Sequence, residues 1–134
     1  MSSIFSQIIA GEIPCYKIAE NEDCFAFLDI NPNAEGHTLC VTKHEVDRLL
    51  DLPKDQYLKL MEFSYQVGLA IESIIPCNRV GMSIIGLEVP HVHVHLIPLN
   101  SMADATFEKK VSLSTEQMQS IAHQIRHEYH QQNR

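Results

Sequence analysis

The run His91-Val92-His93-Val94-His95-Leu96-Ile97-Pro98 alternates imidazole with aliphatic side chains, then closes on an apolar pair and a proline. Side chains on a β-strand point to opposite faces in turn, so this pattern predicts a strand over residues 91–98 whose two sides are unlike. Val92, Val94 and Leu96 require a hydrophobic core beneath them. Three semi-polar rings on the other face make poor core, and they are better spent on chemistry or on a metal. A sheet with one apolar face and one chemical face is therefore the first demand that this chain makes.

The remaining segments supply the partners. Ser2 or Ser3 can cap a short helix ending at Ala10-Gly11. Residues 14–19 and 23–28 read as a hairpin, residues 29–36 as a loop rich in Asn, Pro and Gly, and 37–42 as a further strand. From Pro53 to Ile75 the spacing turns helical, with one apolar stripe through Leu60, Ser64, Val67 and Ile71. Leu58, Tyr65 and Leu69 fall off that stripe. They mark either a wide core face or a contact with a second copy of the chain. A strand over 80–85 precedes the histidine run, and a helix over 115–129 follows it with Ser114 as cap. The sum is α+β: about five mostly antiparallel strands, one long helix and short flanking helices. With 134 residues, this is read as one domain over 1–134, with its core at 3–99 and a tail and helix at 100–134.

Composition narrows the partners. Ten Lys and Arg against 17 Asp and Glu leave a net charge of −7, which repels nucleic acid and argues against a nucleic-acid reader. No apolar run approaches the roughly 18 residues of a membrane span, and the N-terminus lacks a basic leader. A cytoplasmic protein with no membrane partner is expected. Cys15, Cys24, Cys40 and Cys77 show no CxxC spacing, so neither a zinc knuckle nor a redox pair is suggested.

Two chemical readings of the histidine row stay open on the residues alone. Histidines at i and i+2 can bind zinc, although same-face positions rise about 6.6 Å apart and three such rings cannot all reach ~2.1 Å from one ion. Alternatively the middle imidazole, largely free base at neutral pH, attacks an electrophilic phosphorus while its neighbours donate hydrogen bonds.

The triad HVHVHLI, together with SIFSQIIAGEIP and CFAFLDINPNAEGHTLCVTKHEV in that order, resembles the histidine triad (HIT) family, in its nucleoside phosphoramidase branch. The likeness spans roughly residues 3–99. It implies a HIT-like fold and hydrolysis of purine nucleoside 5′-phosphoryl compounds through a nucleotidyl-histidine. That chemistry needs no cofactor, because histidines and loop donors supply the charge stabilisation. A homodimer is expected, with helix 53–75 contributing the contact. It implies His93 as nucleophile, His95 and His37 at the phosphate, and His91 orienting the nucleophile through its carbonyl. Asp29 would hold the ribose hydroxyls, and Ile4, Phe5, Ile8, Phe27 and Ile30 would wall in the base. A dinucleoside polyphosphate hydrolase and a nucleotide-binding regulator with weak catalysis are the alternatives.

Two departures qualify the resemblance. Where the family carries Gly-Gln-Ser/Thr before the triad, this chain has Gly86-Leu87-Glu88. Leu87 cannot donate and Glu88 brings an anion, which suits an amine leaving group better than a polyphosphate. The Asn- and Gly-rich segment usual before this point in the family is also shortened, leaving Asn78 and Ser83 as its stand-ins. Some relatives hold structural zinc on an N-terminal CxxC and later histidines, but Ser3 and Ser6 stand at those positions. Hydroxyls are poor zinc ligands beside thiolates, so no structural metal is expected and His44 reverts to a surface or packing residue. His123, His127 and His130 share one side of the last helix and are read as solvated.

Overall fold

The computed structural model describes residues 2–134. Its elements are helix α1 (Ile4–Ile9), strands β1 (Lys17–Glu20), β2 (Cys24–Leu28) and β3 (Thr38–Thr42), helix α2 (Lys54–Ile74), strands β4 (Arg79–Ser83) and β5 (His93–Leu99), and helix α3 (Thr115–Gln132), with 3-10 turns at Leu49–Asp51 and Met102–Ala105. The strands form one sheet in the order β1-β2-β3-β5-β4, and every neighbouring pair is antiparallel. No helix among the described residues is long and apolar enough to cross a membrane.

Alternation along the strands sorts the side chains onto two faces. Cys24, Ala26, Leu28, Cys40, Val92, Val94 and Leu96 join Leu60, Phe63, Val67 and Ile71 of α2 and Met118, Ile121 and Ile125 of α3 in one core. Phe25, Phe27, Leu39 and Val41 face the other way and pack with Phe5 of α1 in a smaller cluster. The caps match their sequence signals. Ser3 accepts from the Ser6 N–H at the start of α1, and Ser114 with Gln117 forms a reciprocal capping box on α3.

Several boundaries differ from the expectation: β1 runs over Lys17–Glu20, not 14–19, and β4 over Arg79–Ser83, not 80–85. One further difference bears on the site. The ladder of β5 begins at His93, and His91 lies outside it. The partner strand β3 ends at Thr42, with Val41 paired to His93, and the next backbone donor, Lys43 N–H, is taken by the Asp23 carbonyl at 2.8 Å. His91 therefore has no ladder partner, and its ring bonds the Thr42 carbonyl instead, at 2.7 Å. Val92 on the core side is fully buried as expected.

On α2 the predicted stripe is buried at Leu60, Ser64, Val67 and Ile71, joined by Phe63 and Ala70. Leu58, Tyr65 and Leu69 are exposed, so they are no part of a wide core face.

Candidate active site

The site forms where α1, the loop after β2, the start of β5 and the segment after β5 converge. A cavity of about 560 Å³ is lined there by Ile4, Phe5, Asp29, Asn31, Leu39, residues 85–89, His93, His95, Phe107 and Lys110. His37, His91, His93 and His95 are all buried, which a surface row of imidazoles would not be.

Ring nitrogens enclosed by the protein find partners, and those partners fix the tautomers. The Asn33 N–H can only donate, so His37 Nδ1 accepts it, at 3.0 Å. The proton of neutral His37 then sits on Nε2 and is donated to His95 Nδ1, at 3.0 Å. That leaves the His95 proton on Nε2. The His91 carbonyl can only accept, so His93 donates from Nδ1, at 2.8 Å, and its free lone pair is on Nε2. The same logic sets His91. Its Nε2–H donates to the Thr42 carbonyl, and its Nδ1 accepts the Ser3 hydroxyl proton, at 2.6 Å.

Electrostatics agree with neutral rings. Burial is the main cause that pushes the pKa of His37 down to about 3 and that of His95 down to about 4; neighbouring histidines and Lys110 add to both shifts. Burial also lowers His91, against the pull of the Thr42 carbonyl and Glu45. Asp29 moves upward, again through burial, while the Asn31 N–H and Lys110 oppose the rise.

Local sequence explains the loop that carries Asp29 and His37. Asp29 Oδ1 accepts the Asn31 N–H at 2.8 Å in an Asx turn, and the Asp29 and His37 backbones pair through a 3.0 Å bond. Gly36, at φ +93°, makes the return; a Cβ there would approach the Ile75 side chain to 2.8 Å.

The residues singled out in the sequence fall into two groups. Asp29, Ile4, Phe5, Glu88, His93 and His95 line the cavity, and His37 stands directly behind His95. Phe27 lies under Phe5, ring to ring at 5.5 Å, and Ile8 packs beside that cluster, so both support the wall from behind. Ile30 is 79% exposed and lines a separate cavity with Tyr16 and Arg126. Asn78 bonds the Asn100 side chain at the far end of β4, and neither it nor Ser83 lines the histidine cavity. His44, His123, His127 and His130 are exposed.

Sequence reasoning overlooked four contributors. Ser3 is the partner of His91 as well as a cap, and Asn33 fixes the His37 tautomer through its backbone. Phe107 packs on His95 with ring centroids 4.8 Å apart, and Lys110 holds the Asn33 side chain at 2.8 Å. The one available signal for the last two was a lone aromatic beside paired lysines in an otherwise polar stretch.

For a metal, the row of three histidines is unsuited, because both nitrogens of His91 are engaged. The donor atoms of Asp29, His37 and His95 do lie within 4.8 Å of one another. An ion there would have to strip the Nε2 proton from His37 and part the 3.0 Å imidazole pair, so the hydrogen bonding suits a proton-bearing site better. Ser3 and Ser6 are likewise occupied: Glu45 Oε1 accepts the Ser3 N–H at 2.6 Å and the Ser6 hydroxyl at 2.7 Å.

An antiparallel α+β sheet with four buried histidines gathered at one end of β5 defines the class. The chain belongs to the HIT domain family, whose model matches residues 10–102. It is 40% identical over 102 residues to an uncharacterised HIT-like protein of Methanocaldococcus jannaschii, covering 71% of this chain and 77% of that one. It is 37% identical over 99 residues to an adenosine 5′-monophosphoramidase of Saccharomyces cerevisiae, covering 71% of this chain and 61% of the yeast protein. A hypothetical histidine triad nucleotide-binding protein of Sulfolobus tokodaii superposes with a TM-score of 0.83 at 25% identity, over 97% of this chain and 93% of that one.

Proposed function

We propose that the protein hydrolyses purine nucleoside 5′-phosphoramidates through a nucleotidyl intermediate on His93. The observation that carries this is the 2.8 Å bond from His93 Nδ1 to the His91 carbonyl. It leaves Nε2 as the free, unprotonated nitrogen on a ring that lines the cavity. The yeast phosphoramidase among the relatives supports the substrate class.

In the first step His93 Nε2 attacks the α-phosphorus. The bond from phosphorus to the leaving nitrogen breaks, and its electron pair stays on that nitrogen, which takes up one proton from solvent. The His95 Nε2–H donates to a phosphoryl oxygen as charge builds there. The His91 carbonyl holds the Nδ1 proton of the now cationic, nucleotidylated ring. Glu88, exposed at the cavity rim, is a neighbour that can accept a hydrogen bond from the N–H of the departing amine. In the second step water attacks the phosphorus, the bond from phosphorus to His93 breaks, and one proton is returned. The products are a nucleoside monophosphate and an amine. In this reading Asp29 accepts the ribose hydroxyls, and Ile4 and Phe5, which line the same cavity, flank the base.

Turnover against adenosine and guanosine phosphoramidates, with diadenosine polyphosphates as competitors, tests this. Phosphoramidates are expected to be the better substrates, and Glu88→Gln to slow them. Preferential cleavage of the dinucleotides would overturn the assignment. A nucleotide-binding regulator is the second reading, favoured by the 90% exposed, donor-free Leu87. It predicts nucleotide binding without turnover.

The assembly and compartment follow as parts of the same proposal. Exposed Leu58, Tyr65 and Leu69 on one side of α2 support a homodimer, to be read by sedimentation equilibrium, with Tyr65→Glu expected to shift it to monomer. Four unpaired thiols support a reducing compartment, the cytoplasm, testable by fractionation.

A further inference from the structure

The cavity has a charge problem. A nucleotide brings a phosphoryl anion, and the wall already holds two carboxylates, Asp29 and Glu88. Burial keeps His37 and His95 neutral, so those rings donate hydrogen bonds but no net charge. Among the described residues that line the cavity, Lys110 is the one lysine or arginine.

Lys110 comes from outside residues 10–102, the stretch that matches the family model, on a strap that follows β5. The strap is tied down at both ends. Asp104 is held by the Asn100 and Ser101 N–H groups at 2.8 and 3.1 Å, and its carbonyl accepts the Asn33 side chain at 3.0 Å. Beyond the strap, the Val111 N–H donates to the Pro32 carbonyl at 3.0 Å. Between these ties, Phe107 takes φ +65°, the one positive φ on a non-glycine among the described residues. Such backbone is unfavourable for a bulky residue and persists where its surroundings over-determine it. Here it lays the Phe107 ring on His95, at 4.8 Å, and near His37, at 6.1 Å. The Lys110 ammonium lies 5.2 Å from the same ring. It donates to the Asn31 carbonyl at 3.1 Å and to Asn33 Oδ1 at 2.8 Å, which leaves one of its three N–H groups over.

From this placement we infer that Lys110 is the counter-charge for the substrate's phosphoryl group, delivered by a strap that Phe107 seats on His95. Lys110 meets by a full charge the demand that Leu87 and Glu88 cannot meet. This inference rests on the nucleotide-binding reading above and names a residue for it. Phe107 is a positioning residue, which shields the His95 edge and aims the strap.

The test compares binding of adenosine 5′-monophosphate and of adenosine to the full chain by titration calorimetry. Lys110→Met is expected to weaken the monophosphate about tenfold and to leave adenosine within about twofold, as loss of one charge-assisted hydrogen bond would. Lys110→Arg is expected to keep the monophosphate within about threefold, and Lys110→Met to flatten the salt dependence of its binding. Unchanged monophosphate binding in Lys110→Met would overturn the inference. So would equal losses for monophosphate and adenosine, which would reduce Lys110 to a support for the Asn31–Asn33 loop. A wild-type His93 adduct alongside unchanged Lys110→Met binding strikes this inference alone. Lys110-dependent monophosphate binding without any adduct strikes the catalytic reading alone. Wild-type protein that binds no monophosphate would remove both.

Discussion

The two faces of the sheet are built on different principles from the same strands. On the helix side, Val92, Val94 and Leu96 meet Leu60, Phe63, Val67 and Ile125, and cohesion comes from many interchangeable apolar contacts. On the other side, His91 hangs on two hydrogen bonds, to Ser3 and to the Thr42 carbonyl, and His93 on one, to the His91 carbonyl. An apolar face tolerates repacking and stores stability. A face of buried polar rings stores geometry, and each bond there has no substitute.

The largest effect that would break this contrast is at His93. His93→Ala should lower turnover by a factor on the order of 10⁴ or more while nucleotide still binds and the melting temperature stays close to wild type. Next is Phe63→Ala on the helix side, expected to cost about 3–5 kcal/mol of stability. Urea unfolding should show that loss, whereas kcat per folded molecule should hold. A reversed pattern in either variant would dissolve the division of labour.

Acid sharpens the comparison further. His37, His91 and His95 titrate lower folded than unfolded, so the unfolded chain takes up protons first as pH falls below about 6.5. Stability from these rings is therefore full above that pH and is lost progressively below it, down toward pH 4 for His95 and pH 3 for His37. Each ring steepens the fall by up to about 1.4 kcal/mol per pH unit. The raised Asp29 works in the opposite sense. Urea midpoints between pH 7 and 4 measure the sum, and a flat profile would mean that the rings are not buried neutral. Smallest is Ser3→Ala, which removes the proton given to His91 Nδ1 and the cap of α1. It should cost about 1–3 kcal/mol and reduce kcat more than nucleotide binding, because the carbonyl behind His93 loses its anchor.

Much of this was legible before any coordinates. Alternation across 92–96 placed the valines inside, the capping signal at Ser114 marked α3, and Asp29 and His37 were picked out by the resemblance. The start of β5 was not, because it depends on where β3 stops pairing, and register is a property of two strands together. Ser3 reads as a helix cap in any local window; its reach to His91, 88 positions away, is tertiary. Lys110 and Phe107 were hidden for the same reason. Nothing near residue 107 in the chain reveals a positive φ or says that the strap folds back over His95.

The most direct test of the account is mass spectrometry of rapidly quenched wild-type protein, without acid, during turnover of a slow adenosine phosphoramidate. The peptide that carries residues 91–95 should gain one nucleotidyl group, localised to His93 and missing from His93→Ala. Steady turnover with that peptide never modified would contradict the covalent mechanism.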